Sequence, residues 1–381
     1  MTDIVVSARE AQERLIRRDQ YVSCSVAFID CKKPGSHLKQ NYSMIGPGVT
    51  TSTDQVINLR EPHGFNVGAA AMPHGITNNL HIHFTAEVFL VFKGEWKFRW
   101  GPNGDDGEIV GKTGDIVSVP TWIFRGFTNV GPDDGWIFTT LGGDDTGGII
   151  WHPSIIKEAA QYGLYLTKDN FLVDTTKGQE KPADEDLIKV IPDEEIAKLR
   201  RYTVDEMRQR IVTREERAWS KDALLDSGLP GHASEMAPVI GYGITQDRNH
   251  APKITNPHGF SIEWLKLPPG QSVSRFRVKE KQVLQILTGT VAVTLNGPGE
   301  EVEMQAGPWD TASIPAHAWR SIRNLGDTDA EIVVVTAGDG RKTPEWAPEV
   351  LEAARAMGRA VDKSGFIARA DLLPVYAMGK L

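Results

Sequence analysis

The sequence predicts a mainly β protein made of two tandem copies of one barrel, with helices at the periphery. Three observations carry this. The tetrapeptide Pro-His-Gly-Phe at 62–65 recurs at 257–260, 195 residues later in a chain of 381. Runs rich in Val, Ile, Phe, Thr and Trp are punctuated by Gly, Pro, Asn and Asp at roughly 8–12-residue intervals, the spacing of an all-β sandwich or barrel. The composition, 40% hydrophobic and 24% charged, is that of a globular chain, and the length allows two domains that each bury a core.

The repeat extends well beyond one tetrapeptide. Shifted by 195 without a gap, Ile45-Gly46-x-Gly48-x-Thr50 pairs with Ile240-Gly241-x-Gly243-x-Thr245. Likewise Asp115-x2-Ser118-x-Pro120-x4-Arg125-x3-Asn129 pairs with Asp310-x2-Ser313-x-Pro315-x4-Arg320-x3-Asn324, and Trp151-x-Pro153 with Trp346-x-Pro348. Roughly 30 identities over about 129 positions mark a tandem duplication.

In chain order, residues 1–43 read as an N-terminal arm, a helix followed by a strand over YVSCSVAFI at 21–29. Residues 44–172 form the first barrel. Within it, HIHFTAEVFLVFKGEWKFRW at 81–100 gives strands meeting at Lys93-Gly94, IVSVP at 116–120 gives another, and apolar Ile155, Ile156, Ala159 and Ala160 mark a closing helix. Residues 173–235 read as a helical connector, with Thr203 and Glu206 spaced as a capping box at the head of TVDEMRQRI. Residues 236–381 form the second barrel, with VLQILTGTVAVTL at 283–295, TASIP at 311–315 and a C-terminal helix.

Charge and cysteine content narrow the function. A net charge of −8 with no basic, aromatic-interleaved cluster argues against nucleic acid. The charged N-terminus and the lack of a long apolar run predict no signal peptide and no membrane span, hence a cytoplasmic protein. Cys24 and Cys31 read as reduced structural thiols. An arm ahead of a barrel fits a homodimer or a higher homo-oligomer.

The first copy carries Gly75, then His81-Ile82-His83, Glu87 and, seven residues on, Gly94. It also carries Gly114, Pro120, Arg125 and Asn129. These spacings resemble the two motifs of the cupins, and about two-thirds of the chain resembles a bicupin. The resemblance implies two jelly-roll-like barrels and a metal. It departs at Arg125, which stands where the second motif has histidine.

Residues i, i+2 and i+6 of a strand share a face, so His81, His83 and Glu87 are expected to converge inside the first barrel. Two imidazoles and a carboxylate with open positions suit Fe(II) first, with Mn(II), Ni(II), Co(II) and Zn(II) also chemically able. At +195 the three become Phe276, Val278 and Gln282, so function is expected in the first barrel only. Arg125 can clamp a substrate carboxylate. It can equally be structural, since Arg320 matches it, with Asp115 and Asp310 as possible carboxylate partners. His74 and His152 lack histidine counterparts and are candidates for a fourth ligand or a proton shuttle. Trp96 and Phe98, with Trp100, face one way on their strand where the second copy has aliphatic residues. With Trp122 and Phe124 they predict an aromatic lining for a planar substrate, or else core filling.

The leading expectation is a metal-dependent, Fe(II)-type oxygenase acting on a small planar or aromatic oxygen-bearing substrate with O₂. Gentisate-type bicupin dioxygenases are similar only loosely, because they use three histidines. The alternatives are a metal-dependent lyase, decarboxylase or isomerase that consumes no O₂, and a non-catalytic small-molecule-binding or storage-like bicupin.

Overall fold

The computed structural model describes residues 4–378 and divides into two compact units, one of residues 21–216 and one of residues 1–20 with 217–381. Each is a jelly-roll barrel of two sheets packed face to face, antiparallel except where Ile57–Leu59 runs parallel to Gln40–Ile45.

In the unit of residues 21–216, a seven-stranded sheet runs in the order Ile211–Val212, Ile116–Val119, Glu87–Lys93, Gly135–Gly142, Phe65–Met72, Gln40–Ile45 and Ile57–Leu59. Opposite it, a five-stranded sheet runs Ile149–Trp151, Thr77–His83, Arg125–Asn129, Glu95–Trp100 and Gly107–Lys112. Between them, Phe89, Val91 and Met72 of the first sheet bury against Trp96, Phe98, Trp100 and Phe127 of the second. Gly94 joins the strands on either side of it with φ 93°, and a Cβ there would stand 3.2 Å from Gly135 Cα, so glycine is needed on both counts.

The other unit repeats this plan at the same offset. Strands Phe65–Met72, Glu87–Lys93, Ile116–Val119, Arg125–Asn129 and Gly135–Gly142 recur as Phe260–Leu267, Gln282–Thr288, Thr311–Ile314, Arg320–Asn324 and Ala330–Ala337. The helix Pro153–Gln161 recurs as Pro348–Ala356. Even a loop is duplicated: the backbone N–H groups of His63 and His258 donate to Asp144 and Asp339, and each imidazole Nδ1 contacts the carbonyl two residues back. These two histidines are structural.

The arm and the connector differ from expectation. Helix Ala8–Arg14 leads into strand Leu15–Ile16, which pairs with Thr311–Ala312 and so belongs to the second barrel. Helix Val204–Arg208, with its Thr203–Glu206 capping box formed, leads into Ile211–Val212, which pairs with Ile116–Val117 of the first barrel. Residues 21–29 form turns rather than a strand, bridged once at Cys24–Asn41, because Phe28 and Ile29 bury sideways against Trp151 and Ile155. The connector is mostly irregular. Its only α-helices are Asp193–Ile196, with Pro192 at its N-cap, and Val204–Arg208. Both cysteines are free and buried, and burial pushes the Cys31 thiol up to about 11. No helix among the described residues is long and apolar enough to cross a membrane.

Candidate metal centre

His81 and His83 stand two apart on strand Thr77–His83, with ring centroids 4.9 Å apart. Glu87 is not on that strand. The chain turns at 84–86 and Glu87 opens the next strand, in the opposite sheet. The three side chains therefore meet across the barrel, not along one strand as the i, i+2, i+6 spacing suggested. One ligand atom from each lies within 4.8 Å of the others, and all three residues are buried.

Both histidines are held in a metal-binding form. The Asn79 carbonyl can only accept, so His81 Nδ1 donates to it at 2.7 Å, leaving Nε2 with its lone pair. Burial, reinforced by the Arg125 charge, lowers His81 to about 3 and holds His83 well below the usual histidine range, so both are neutral. His83 Nδ1 is buried without a hydrogen-bond partner, and Nε2 lies 3.4 Å from Glu87 Oε1. Donor atoms about 3–4 Å apart are what ligands at about 2.0–2.2 Å from one ion require. His81, His83 and Glu87 could together hold a divalent first-row cation.

Arg125 is 2% exposed and pairs in register with His81. Its Nε donates to Glu87 Oε2 at 3.2 Å and its Nη1 to the Ile123 carbonyl. It thus binds the carboxylate oxygen turned away from His83. Burial raises the Glu87 carboxyl to about 7 despite the guanidinium's opposing pull. Asp115 is not the partner of Arg125, since its oxygens accept the backbone N–H groups of Lys112 and Arg214. Asp310 similarly caps Gly307 and Arg18 rather than Arg320.

The cavity that reaches this cluster has a volume of about 50 Å³. Lys39, Asn41, Tyr42 and Asn78 add polar groups to its lining. Lys39 is 4% exposed, pairs with Asp30 at 2.6 Å and donates to Asn78. Burial lowers its pKa against the pull of Asp30. Asp30 also accepts from the side chain of Asn79, two residues before His81. Sequence reasoning missed this pair because it placed both residues in an arm outside the barrel. The signal was present at +195, where Lys39, Asn41 and Asn78 become Ser234, Met236 and Val273.

The other expected site residues lie elsewhere. Trp96 and Phe98 do not line the cavity; they pack with Phe89 and Phe127 in the core, and Trp96 Nε1 donates to the Lys93 carbonyl. Trp122 is half-exposed, with φ 56°, and leans on Phe84. His74 is exposed and its Nδ1 contacts the Gly131 carbonyl, while His152 caps helix Pro153–Gln161. Neither joins the cluster.

In the second barrel, Phe276 and Val278 are packed into the apolar core and Gln282 donates to Thr336. Arg320 lies in register with Phe276, its guanidinium 5.4 Å from that ring and bonded to the Pro315 carbonyl.

The cupin domain family matches residues 263–336, within the second barrel. No curated protein sequence matches. Among solved structures, an oxalate decarboxylase of Lactobacillus farciminis in complex with formate superposes with a TM-score of 0.52 at 11% identity, covering 82% of this chain and 85% of that one. The Momordica charantia 7S globulin gives 0.52 at 10% identity, covering 88% and 86%, and the vicilin of Capsicum annuum 0.52 at 11%, covering 88% of both. These likenesses are of fold. With the duplicated barrels, they show that the chain has the fold of two tandem cupin barrels, the second of which carries the family match.

Proposed function

We propose that the first barrel is a metal-dependent enzyme acting on a small carboxylate, of the lyase or decarboxylase class. The observation that carries this reading is the convergence of His81, His83 and Glu87 on a cavity of about 50 Å³ with a buried ammonium in its lining. That volume holds a few waters and suits a small substrate. Of the expected aromatic wall, Trp96 and Phe98 belong to the core and Trp122 is half-exposed, and none lines the cavity, which removes the main argument for a planar aromatic substrate. The fold neighbour crystallised with formate is named as a decarboxylase, which supports a small-carboxylate chemistry.

His81 and His83 supply neutral nitrogen donors, and Glu87 supplies Oε1 while Arg125 retains Oε2. A bound divalent cation supplies Lewis acidity, polarising a carboxylate or carbonyl oxygen. The surrounding burial excludes bulk water, which strengthens every charge interaction inside.

An oxygenase remains the second reading, favoured by the 2-His-1-carboxylate set itself. Turnover of candidate small carboxylates in air and under anaerobic conditions separates the two. Equal rates without oxygen uptake support the lyase reading, and stoichiometric oxygen uptake sinks it.

A further inference from the structure

We infer that Lys39 is the anion anchor of the first barrel's cavity, its ammonium receiving the carboxylate of a small substrate whose other end faces His81, His83 and Glu87. This rests on the reading of the first barrel as an enzyme for small carboxylates, and it adds the residue that selects them.

Lys39 is the only cationic side chain among the described residues that line the cavity. Arg125, the other buried cation nearby, does not line it; its Nε and Nη1 are taken by Glu87 and the Ile123 carbonyl, and its Nη2 is buried without a partner. Of the three ammonium N–H groups, Asp30 and Asn78 take two and no acceptor meets the third. The rings of Phe28 and Trp151, with centroids 4.9 and 5.8 Å from Nζ, favour the cation in this dry setting.

The duplicated barrel supplies the control. Asp226 does there what Asp30 does here: it accepts from the strand residue equivalent to Asn79, the Ser274 N–H, at 2.5 Å. Yet the position of Lys39 is Ser234, and among the described residues Asp226 pairs with no lysine or arginine, only with the His232 imidazole 3.6 Å away. The fold therefore keeps the carboxylate without a lysine. Lysine appears in the barrel that has the ligand triad, together with Asn41 and Asn78, whose counterparts are Met236 and Val273. Burying an ammonium is costly unless it is paired, and the structural work of this corner is done without one.

The test is calorimetric titration of the purified holoprotein with formate and acetate, and with the neutral amides formamide and acetamide. Wild type is expected to bind acetate at least tenfold more tightly than acetamide. The Asp30→Asn/Lys39→Met double variant removes both charges together, so no lone buried carboxylate remains. It is expected to keep its metal content and its fold while losing at least tenfold in acetate affinity. Lys39→Gln, read in the same way, covers a folding failure of the double variant. A wild type that does not distinguish acetate from acetamide overturns the inference, as do variants that bind acetate within twofold of wild type. Metal content measured on the same samples keeps the two readings apart. Absent metal defeats the proposed enzyme, whereas anion selectivity at Lys39 is read from binding alone.

Discussion

The Arg125 guanidinium and the Glu87 carboxylate meet 3.2 Å apart inside the first barrel, and that contact decides which carboxylate oxygen is free. Oε2 is held by Arg125, while Oε1 points toward His83. An arginine in place of the histidine of the second cupin motif thus orients a ligand instead of being one. Arg125→Met leaves Glu87 buried without a countercharge and drives its carboxyl above about 7. Metal affinity at pH 7, read by chelator competition, should fall roughly ten- to a hundredfold. Arg320→Met in the second barrel should leave it unchanged.

Replacing the triad with its own second-barrel counterparts, His81→Phe, His83→Val and Glu87→Gln, should yield a folded protein that binds no metal and resists acid better. The sign follows from the direction of the histidine shifts. Both imidazoles are neutral in the folded protein, His81 down to about pH 3, while the unfolded chain protonates them near 6.5. The stability they contribute is complete above about 6.5 and is lost as pH falls toward 3, by up to about 1.4 kcal/mol per pH unit for each. Glu87 acts in the opposite sense: its raised carboxyl favours the fold below about 4.5 and loses that contribution as pH rises to about 7. Urea melts of metal-free wild type and triple variant between pH 3 and 7 should show the acid-side slope shrinking in the variant. An unchanged slope contradicts the assignment of buried neutral histidines.

Trp96→Ala should cost about 3–5 kcal/mol, the range for emptying a buried aromatic site, without altering metal bound per folded molecule. Trp96 is fully buried in the core behind the site. Loss of metal at unchanged stability would place it at the centre instead.

The N-terminal helix and strand should be part of the second barrel's stability. Leu15 is buried in that barrel's core, and its strand pairs with Thr311–Ala312. Leu15→Ala should cost about 2–5 kcal/mol and lower hydrogen-exchange protection across Thr311–Ile314. Protection lost only at residues 4–20 would contradict this.

The duplication was readable because identical Gly, Pro, Asp and Asn positions fix turns, and turns set the strand register; Gly94 and the Asp144–His63 loop are examples. The ligand triad was readable from the spacing of His81, His83, Glu87 and Gly94, and the exchange of the three for Phe276, Val278 and Gln282 at +195 confined it to the first barrel. What escaped were contacts closed by irregular chain. Lys39 and Asp30 lie in turns with no period, and their pairing depends on how residues 30–39 fold back on strand Thr77–His83. Strand parity also misled at the aromatic positions: it correctly put Trp96 and Phe98 on one inward face. That face fills the core, and none of Trp96, Phe98 and Trp100 lines the cavity.

Metal analysis of anaerobically purified wild type beside His81→Ala tests the central claim most directly. Wild type should carry about one equivalent of a divalent first-row metal, and His81→Ala, losing one of three ligands, should lose most of it. A wild type with no such metal, or a variant that retains a full equivalent, would contradict the assignment of His81, His83 and Glu87 as a metal centre.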